Sequence, residues 1–204
     1  MANDRESILK RVNEALAPLP KRATLPEYAE DLAVMRKIIA NRDLLELFSE
    51  RIKLVNGSVL TSAAQLKDRL NEGKWTHGYC DPALLPELAH AFTTGFNLET
   101  HFDRTRIDDY SFAITRAVGA VAETGTIILS DTSTTYRLAA LTPWVHIALL
   151  RKSEILSDLS QAVATLGKDP NTIWCTGSSS TADVEGILIR GVHGPGVQIA
   201  LVID

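Results

Sequence analysis

From residue 111 onward the chain repeats one pattern, a short apolar run followed by a few polar or glycine residues and then another run. The runs are Ser111 to Thr115, Val118 to Ala122, Thr126 to Ser130, Val145 to Leu150, Ile173 to Cys175 and Val197 to Ile203. Such lengths suit strands covered on both faces and are too short for independent helices. Between them Ile155, Leu156, Leu159, Val163 and Leu166 recur at helical spacing up to Gly167, and Ala182 to Arg190 reads as another helix. Strands alternating with helices predict a largely parallel, helix-covered sheet, an α/β fold.

The pattern begins earlier in weaker form. Ser62-Ala-Ala-Gln65 is a capping box, in which the serine oxygen and the glutamine side chain satisfy free amides at a helix start, and Gly73 stops that helix. Trp75 to Cys80 reads as a short strand, and Pro82 to Phe92 as a helix with proline in its first turn. Thr94 to Asp109 lacks periodicity and reads as loop with at most one strand. The first quarter is helical. Ile8, Leu9, Val12 and Leu16 share one face up to Pro18 and Pro20, and a second pattern from Glu27 to Ile52 carries Leu32, Met35, Ile38, Ile39, Leu45 and Phe48. The expected division is therefore a helical extension over residues 1–55, suited to packing or partner docking, and an α/β domain over 56–204.

Charge and cysteine content limit the chemistry. With 21 basic and 25 acidic residues, and no long block of either sign, the chain lacks the cationic face that nucleic acid requires. Its two cysteines, Cys80 and Cys175, form no Cys-x-x-Cys, which excludes a standard four-cysteine iron–sulfur or zinc site within the chain. His77, His90 and His101 have no metal-ligand spacing, so no metal is expected. The N-terminus has no signal-peptide core and no apolar stretch reaches membrane-spanning length, which predicts a cytoplasmic protein without a membrane span.

Four segments carry polar chemistry. In Thr176-Gly177-Ser178-Ser179-Ser180-Thr181, the hydroxyls either cap the expected helix, helped by Asp183, or line an anion pocket with the helix amides. His193 stands in the Gly191-Val-His-Gly194-Pro195-Gly196 turn, where it is a turn residue or a proton-transfer group. Glu123, before Thr124, Gly125 and Thr126, is a solvated hairpin-turn residue or a base, nucleophile or binding group. Arg137 is a carboxylate clamp or a solvated helix residue, and His146, opening an apolar strand, is a core histidine or a ligand contact.

Together "AVAETGTIIL", "TPWVHIALL", "TGSSSTADVEGILIRGVHGPG" and "VQIALVID" resemble the lactate utilization protein C family, specifically over residues 111–204 and weakly before them. The resemblance implies the NagB/RpiA/CoA-transferase-like fold, a three-layer α/β/α sandwich with a mostly parallel sheet. It also implies a part in oxidising L-lactate to pyruvate as one of three proteins, the iron–sulfur clusters being carried by the partner proteins and not by this chain. Glu123, Thr124, Gly125 and Thr126 match the family's Glu/Asp-Thr-Gly-Thr segment; Arg137 and His146 match its arginine and histidine. Thr176, Gly177, Ser179, Thr181, Asp183 and Glu185 match its hydroxyl loop, and Gly191, His193, Gly194 and Pro195 its closing turn. Ser178 and Ser180 depart from it, standing where the family has proline and a basic residue, which leaves the loop less cationic.

Three functions follow. The first is a subunit of an iron–sulfur lactate-oxidising system that binds a small organic acid or supports its partners, with Glu123 and His193 as the catalytic candidates and the remaining residues as the binding ones. The second is an independent enzyme of the same fold acting on a thioester or a phosphorylated small molecule. The third is a structural or regulatory module. Homo-oligomerisation stays open.

Overall fold

The computed structural model describes residues 4–18, 41–92, 94–131, 133–134, 136–165, 171–182 and 186–204. Most of the Glu27 to Ile52 helical pattern, the Leu166–Gly167 helix end, Asp183 and Glu185 lie outside the described residues. The chain divides into two units, residues 1–35 and 36–204. The first contains helix α1 (Asp4–Leu16), which carries Ile8, Leu9 and Val12 as exposed side chains.

The second unit opens on helix α2 (Leu44–Leu54), started by Asp43, whose carboxylate accepts from the Glu46 amide at 3.0 Å. Strand β1 (Gly57–Leu60) and helix α3 (Ala63–Glu72) follow: the Gln65 amide donates to Ser62 Oγ, as the expected capping box requires, while the Gln65 side chain accepts at 2.8 Å from the amide of Thr61, one residue before the cap. After β2 (His77–Cys80), the expected helix from Pro82 to Phe92 is one α turn, α4 (Leu85–Leu88), between two 3-10 turns. Pro86 has no amide to donate back to Pro82, so the α pattern is interrupted there; Leu85 keeps helical φ and ψ, and 3-10 turns flank the single α turn. Next come β3 (Asn97–Glu99), β4 (Phe112–Arg116), β5 (Gly119–Val121), β6 (Thr126–Ser130), α5 (Arg137–Leu141) and β7 (Val145–Arg151). The chain closes with β8 (Ile155–Leu156), α6 (Leu159–Thr165), β9 (Thr172–Cys175), β10 (Ser180–Thr181), β11 (Ile189–Arg190) and β12 (Val197–Ile203).

Six strands build a wholly parallel sheet in the order β1-β12-β7-β4-β2-β3. Its central strands β4, β7 and β12 are mostly apolar because both faces are covered. Val145, Ile147, Leu149, Ile199 and Leu201 meet Leu66 and Leu70 of α3 and Leu84 and Leu88 beside it. The alternate residues Ala148, Leu150, Ala200 and Val202 meet Leu47, Phe48 and Ile52 of α2 together with Ile127 and Leu129 of β6. The three layers are thus a helical layer, the parallel sheet, and a layer in which α2 lies with a second, four-stranded sheet.

That second sheet, in the order β8-β5-β6-β9, refines the expectation of one sheet. β5 and β6 are an antiparallel hairpin with Val121 opposite Thr126, and β9 runs antiparallel to β6 with Ile127 opposite Cys175. Glu123, Thr124 and Gly125 form the hairpin turn, in which the Gly125 amide donates to Val121 O at 2.9 Å.

Among the described residues of the expected helix from Ala182 to Arg190, Ala182 and those from Gly186 to Arg190 are not helical. Ser180 and Thr181 pair antiparallel with Arg190 and Ile189, and Gly186 and Gly191, both with positive φ, bend the chain at either end of the return strand. Ile187, Leu188 and Ile189 are consequently exposed, where a buried helix was anticipated. Serine at both 187 and 188 is therefore expected to lower Tm by no more than about 4 °C, since surface changes stay near 0.5 kcal/mol each. Thermal melts followed by circular dichroism check this, and a fall of ~15 °C would mean that these side chains are packed.

Candidate functional site

The segments singled out in the sequence meet only in part. The β5–β6 turn and the loop after β9 come together because β6 and β9 are antiparallel neighbours, which puts the start of one beside the end of the other. A hydroxyl chain results: Thr124 Oγ1 lies 2.7 Å from Thr126 Oγ1, which lies 2.8 Å from Thr176 Oγ1. Gly125, at φ +68°, and Gly177, at φ +80°, both lie against the C-terminal end of α2, where a Cβ would strike Ile52 N and Val55 O respectively. The end of a helix that presents carbonyls carries partial negative charge, the opposite of what an anion requires. Arg51 and Lys53, in the last turn of α2, answer that end.

The loop continues to the closing turn. The Ser179 amide donates to Pro195 O at 2.9 Å, and the Gly191 amide donates to Ser179 O at 2.9 Å. Ser179 therefore joins Gly194 and Pro195 in one cluster, with His193 exposed on its rim. Ser178 is buried, and its Oγ has no hydrogen-bond partner among the described residues. Ser180 Oγ donates to Ser178 O at 3.2 Å. Ser180 and Thr181 enter a strand and the Ser179 amide is held by Pro195 O, so the described residues of the loop do not present their amides as a helix N-terminus would. Glu123 is half-buried, and its amide donates to Ser157 O at 3.1 Å.

Two predicted residues lie apart from this cluster. His146 is inside the parallel sheet, fully buried, with Nε2 2.9 Å from Thr115 Oγ1 and Nδ1 2.9 Å from the Gln198 amide nitrogen. Burial without a charged neighbour pushes its pKa down to about 4, so the imidazole is neutral. The structure places it in the core and not on a ligand surface. Arg137 is at the far end of β6, roughly 17 Å of strand from Thr126, where Nε donates to Asp131 Oδ1 at 2.8 Å and Nη2 to Asp131 Oδ2. The bidentate edge expected for a substrate carboxylate is thus occupied by Asp131.

Arg137 nonetheless lines a cavity of about 250 Å³ with Phe102, Arg104, Tyr136 and Leu138. Its Nη1 is not used by Asp131. Tyr136 Oη is held by His101 Nδ1 at 3.0 Å. Asp103, next in sequence to Arg104, is turned to Thr105 and Arg106, and those hydrogen bonds hold its carboxyl down to about 2. Among the described residues, two guanidiniums against the single Asp131 carboxylate leave one positive charge, with Phe102 and Leu138 as apolar walls. A small monocarboxylate matches such a site in charge and size. Sequence reading missed Phe102, Arg104 and Tyr136. They lie in or beside irregular segments, and only the fold brings them to Arg137.

A profile of the LUD domain family matches residues 22–203. A protein named lactate utilization protein C from Deinococcus radiodurans is 29% identical over 199 residues, covering 92% of this chain and 90% of that protein. Another of that name from Geobacillus sp. (strain WCH70) is 30% identical over 163 residues, covering 67% of this chain and 68% of that protein. The crystal structure of a DUF162 family protein from Deinococcus radiodurans superposes with a TM-score of 0.60 at 22% identity, covering 79% of this chain and 97% of the other.

Proposed function

The chain belongs to the LUD domain family, and from that premise we propose that it serves lactate utilisation by holding a small 2-hydroxy or 2-oxo monocarboxylate at the Arg104–Arg137 cavity. The observation that carries the reading is the pair of guanidiniums, only one of them answered by a carboxylate, lining a cavity of about 250 Å³ with two apolar walls. Arg104 and Arg137 Nη1 grip the carboxylate, and Phe102 and Leu138 accept the methyl end of a three-carbon acid. Oxidation of lactate to pyruvate releases two electrons and two protons, and the electron acceptor in this proposal is an iron–sulfur centre of partner proteins. Names carried by the relatives support the substrate class.

Arg104→Gln tests the site, because it removes a charge-assisted hydrogen bond while keeping much of the side-chain volume. Such bonds are worth ~1.5–3 kcal/mol, so pyruvate and lactate should bind about 10- to 100-fold more weakly by calorimetric titration. Thr176→Ala should bind as the parent does. Equal affinity in the parent and Arg104→Gln sinks the assignment of the site. Anaerobic affinity purification of the tagged chain tests the partner role, which requires iron–sulfur proteins and lactate-dependent dye reduction in the eluate.

A further inference from the structure

A second cavity, of about 350 Å³, opens beyond the amino ends of β2, β4 and β7, away from the arginine pair. Its lining includes Trp75, Tyr110 and Trp144, each just before or beside the start of a strand, with Asp108, Ser111 and Thr142 between them. We infer that this cavity binds a flat heteroaromatic ring that carries a hydrogen-bond donor and no negative charge of its own.

The aromatic side chains are fixed before any ligand arrives. The Trp144 indole lies against Gly191 and Gly196, and a Cβ at either glycine would overlap its six-membered ring. Yet Trp144 remains 47% exposed. Chain backbone is thus shaped around an indole whose remaining surface borders the cavity. Trp75 is held in the same manner, by Gly73 and by the Arg69 guanidinium 4.9 Å from its ring centre. Tyr110 is anchored through its hydroxyl, which donates to Glu99 at 2.9 Å and accepts from the Asp103 amide at 3.0 Å, and its buried ring, stacked on Phe102 at 4.8 Å, is part of the cavity wall and not a free platform. Immobile aromatic platforms lose little entropy on stacking, which favours flat rings.

Charge selects among flat rings. Among the described residues the lining has one carboxylate, Asp108, and no arginine or lysine, the Arg69 and Arg106 guanidiniums being engaged on the Trp75 and Tyr110 rings at 4.9 and 6.0 Å. Thr142 Oγ1 donates to Leu138 O at 2.8 Å, so toward a ligand it accepts. Carboxylate and hydroxyl acceptors match an exocyclic amine or a cationic ring and oppose a phosphate or carboxylate on the ring. The volume lies in the range of ligand pockets, about 300–1,000 Å³. The site is independent of the monocarboxylate reading, since it shares no residue with that cavity.

Adenosine is the probe, with purine riboside, which lacks the amine, as its partner. The indole N–H resonances of Trp75, Trp144 and Trp174 report in one nitrogen–proton spectrum, and Trp174 on β9 is the internal control. Adenosine is expected to shift the Trp75 and Trp144 signals and to leave Trp174 unmoved. Trp144→Leu should weaken binding about five- to 150-fold, the loss that follows removal of one stacking partner. Asp108→Asn, an exposed change that leaves the indoles in place, should reduce the preference for adenosine over purine riboside. The inference is overturned if neither indole moves at about 10 mM adenosine, or if Asp108→Asn and Trp144→Leu both bind adenosine as the parent does.

Discussion

Gly177→Ala is expected to unfold on the order of 10 °C below the parent. The residue sits at φ +80°, and its missing side chain is what lets the loop after β9 lie on the Val55 carbonyl. An alanine there meets two penalties. Left-handed backbone costs a residue with a Cβ about 1–2 kcal/mol, and driving a methyl into packed backbone costs about 1–3 kcal/mol more. The sum of about 2–5 kcal/mol converts to ~4–20 °C for a domain of this size. The obstacle is backbone, which cannot rotate away as a side chain would. Gly125→Ala meets the same obstacle, with Ile52 N and Arg51 C in the way, and should behave alike. Gly186→Ala is the control: it shares the positive φ, at +72°, but has nothing within 4 Å of an added Cβ, so it should lose only the conformational share. Urea titrations of the three variants separate the two penalties. If Gly177→Ala falls no further than Gly186→Ala, the loop does not rest on α2 as described.

These glycines also mark where the sequence was informative and where it was not. The strands Thr126–Ser130 and Val197–Ile203 were legible to the residue, and Val145–Arg151 to within one, because consecutive apolar side chains of that length serve a sheet covered on two faces. The partition into two sheets was hidden. Local pattern gives a strand's burial but not its neighbour, and β6 resembles β7 until the Ala122–Gly125 turn is known to reverse the chain. Ile187, Leu188 and Ile189 misled for a related reason: an apolar triplet reads as buried, and only the pairing of Ser180 with Arg190 shows it lying on an exposed ribbon.

The candidate sites divide along the same line. Thr124, Thr126 and Thr176 could be grouped from motifs, since each lies in a polar break between apolar runs, and the structure joins them within 2.7 and 2.8 Å. What motifs could not supply was the sign of the surroundings. The described residues of the segment expected as an amide-bearing helix are strand and turn, and the carbonyl end of α2 stands behind the loop. A cavity lined by two guanidiniums lies instead at the other end of β6, where Arg137 is joined by Arg104. Arg104 lies in an irregular stretch between β3 and β4 and carries no pattern, so its meeting with Arg137 depends on tertiary packing alone.

Acid should destabilise the fold through His146 before it reaches most carboxylates. The imidazole is completely buried between Thr115 and Gln198, both neutral, and burial lowers its pKa from 6.5 to about 4. A lowered histidine pKa means that the native state binds fewer protons than the unfolded chain, so stability falls as pH falls. The contribution is complete above about pH 6.5 and is lost progressively down to about pH 4, the window between the two pKa values. Over that interval the linkage amounts to about 3 kcal/mol. His146→Gln isolates it: the amide cannot titrate, yet it can both accept and donate between Thr115 and Gln198. Stability measured by urea unfolding from pH 7 to pH 4 should decline less steeply in the variant, by up to one proton in slope. The two curves converge as the pH drops even if glutamine fills the site less well at pH 7. Parallel curves would mean that the folded protein protonates His146 as readily as the unfolded chain, and that the ring is not sealed within the sheet.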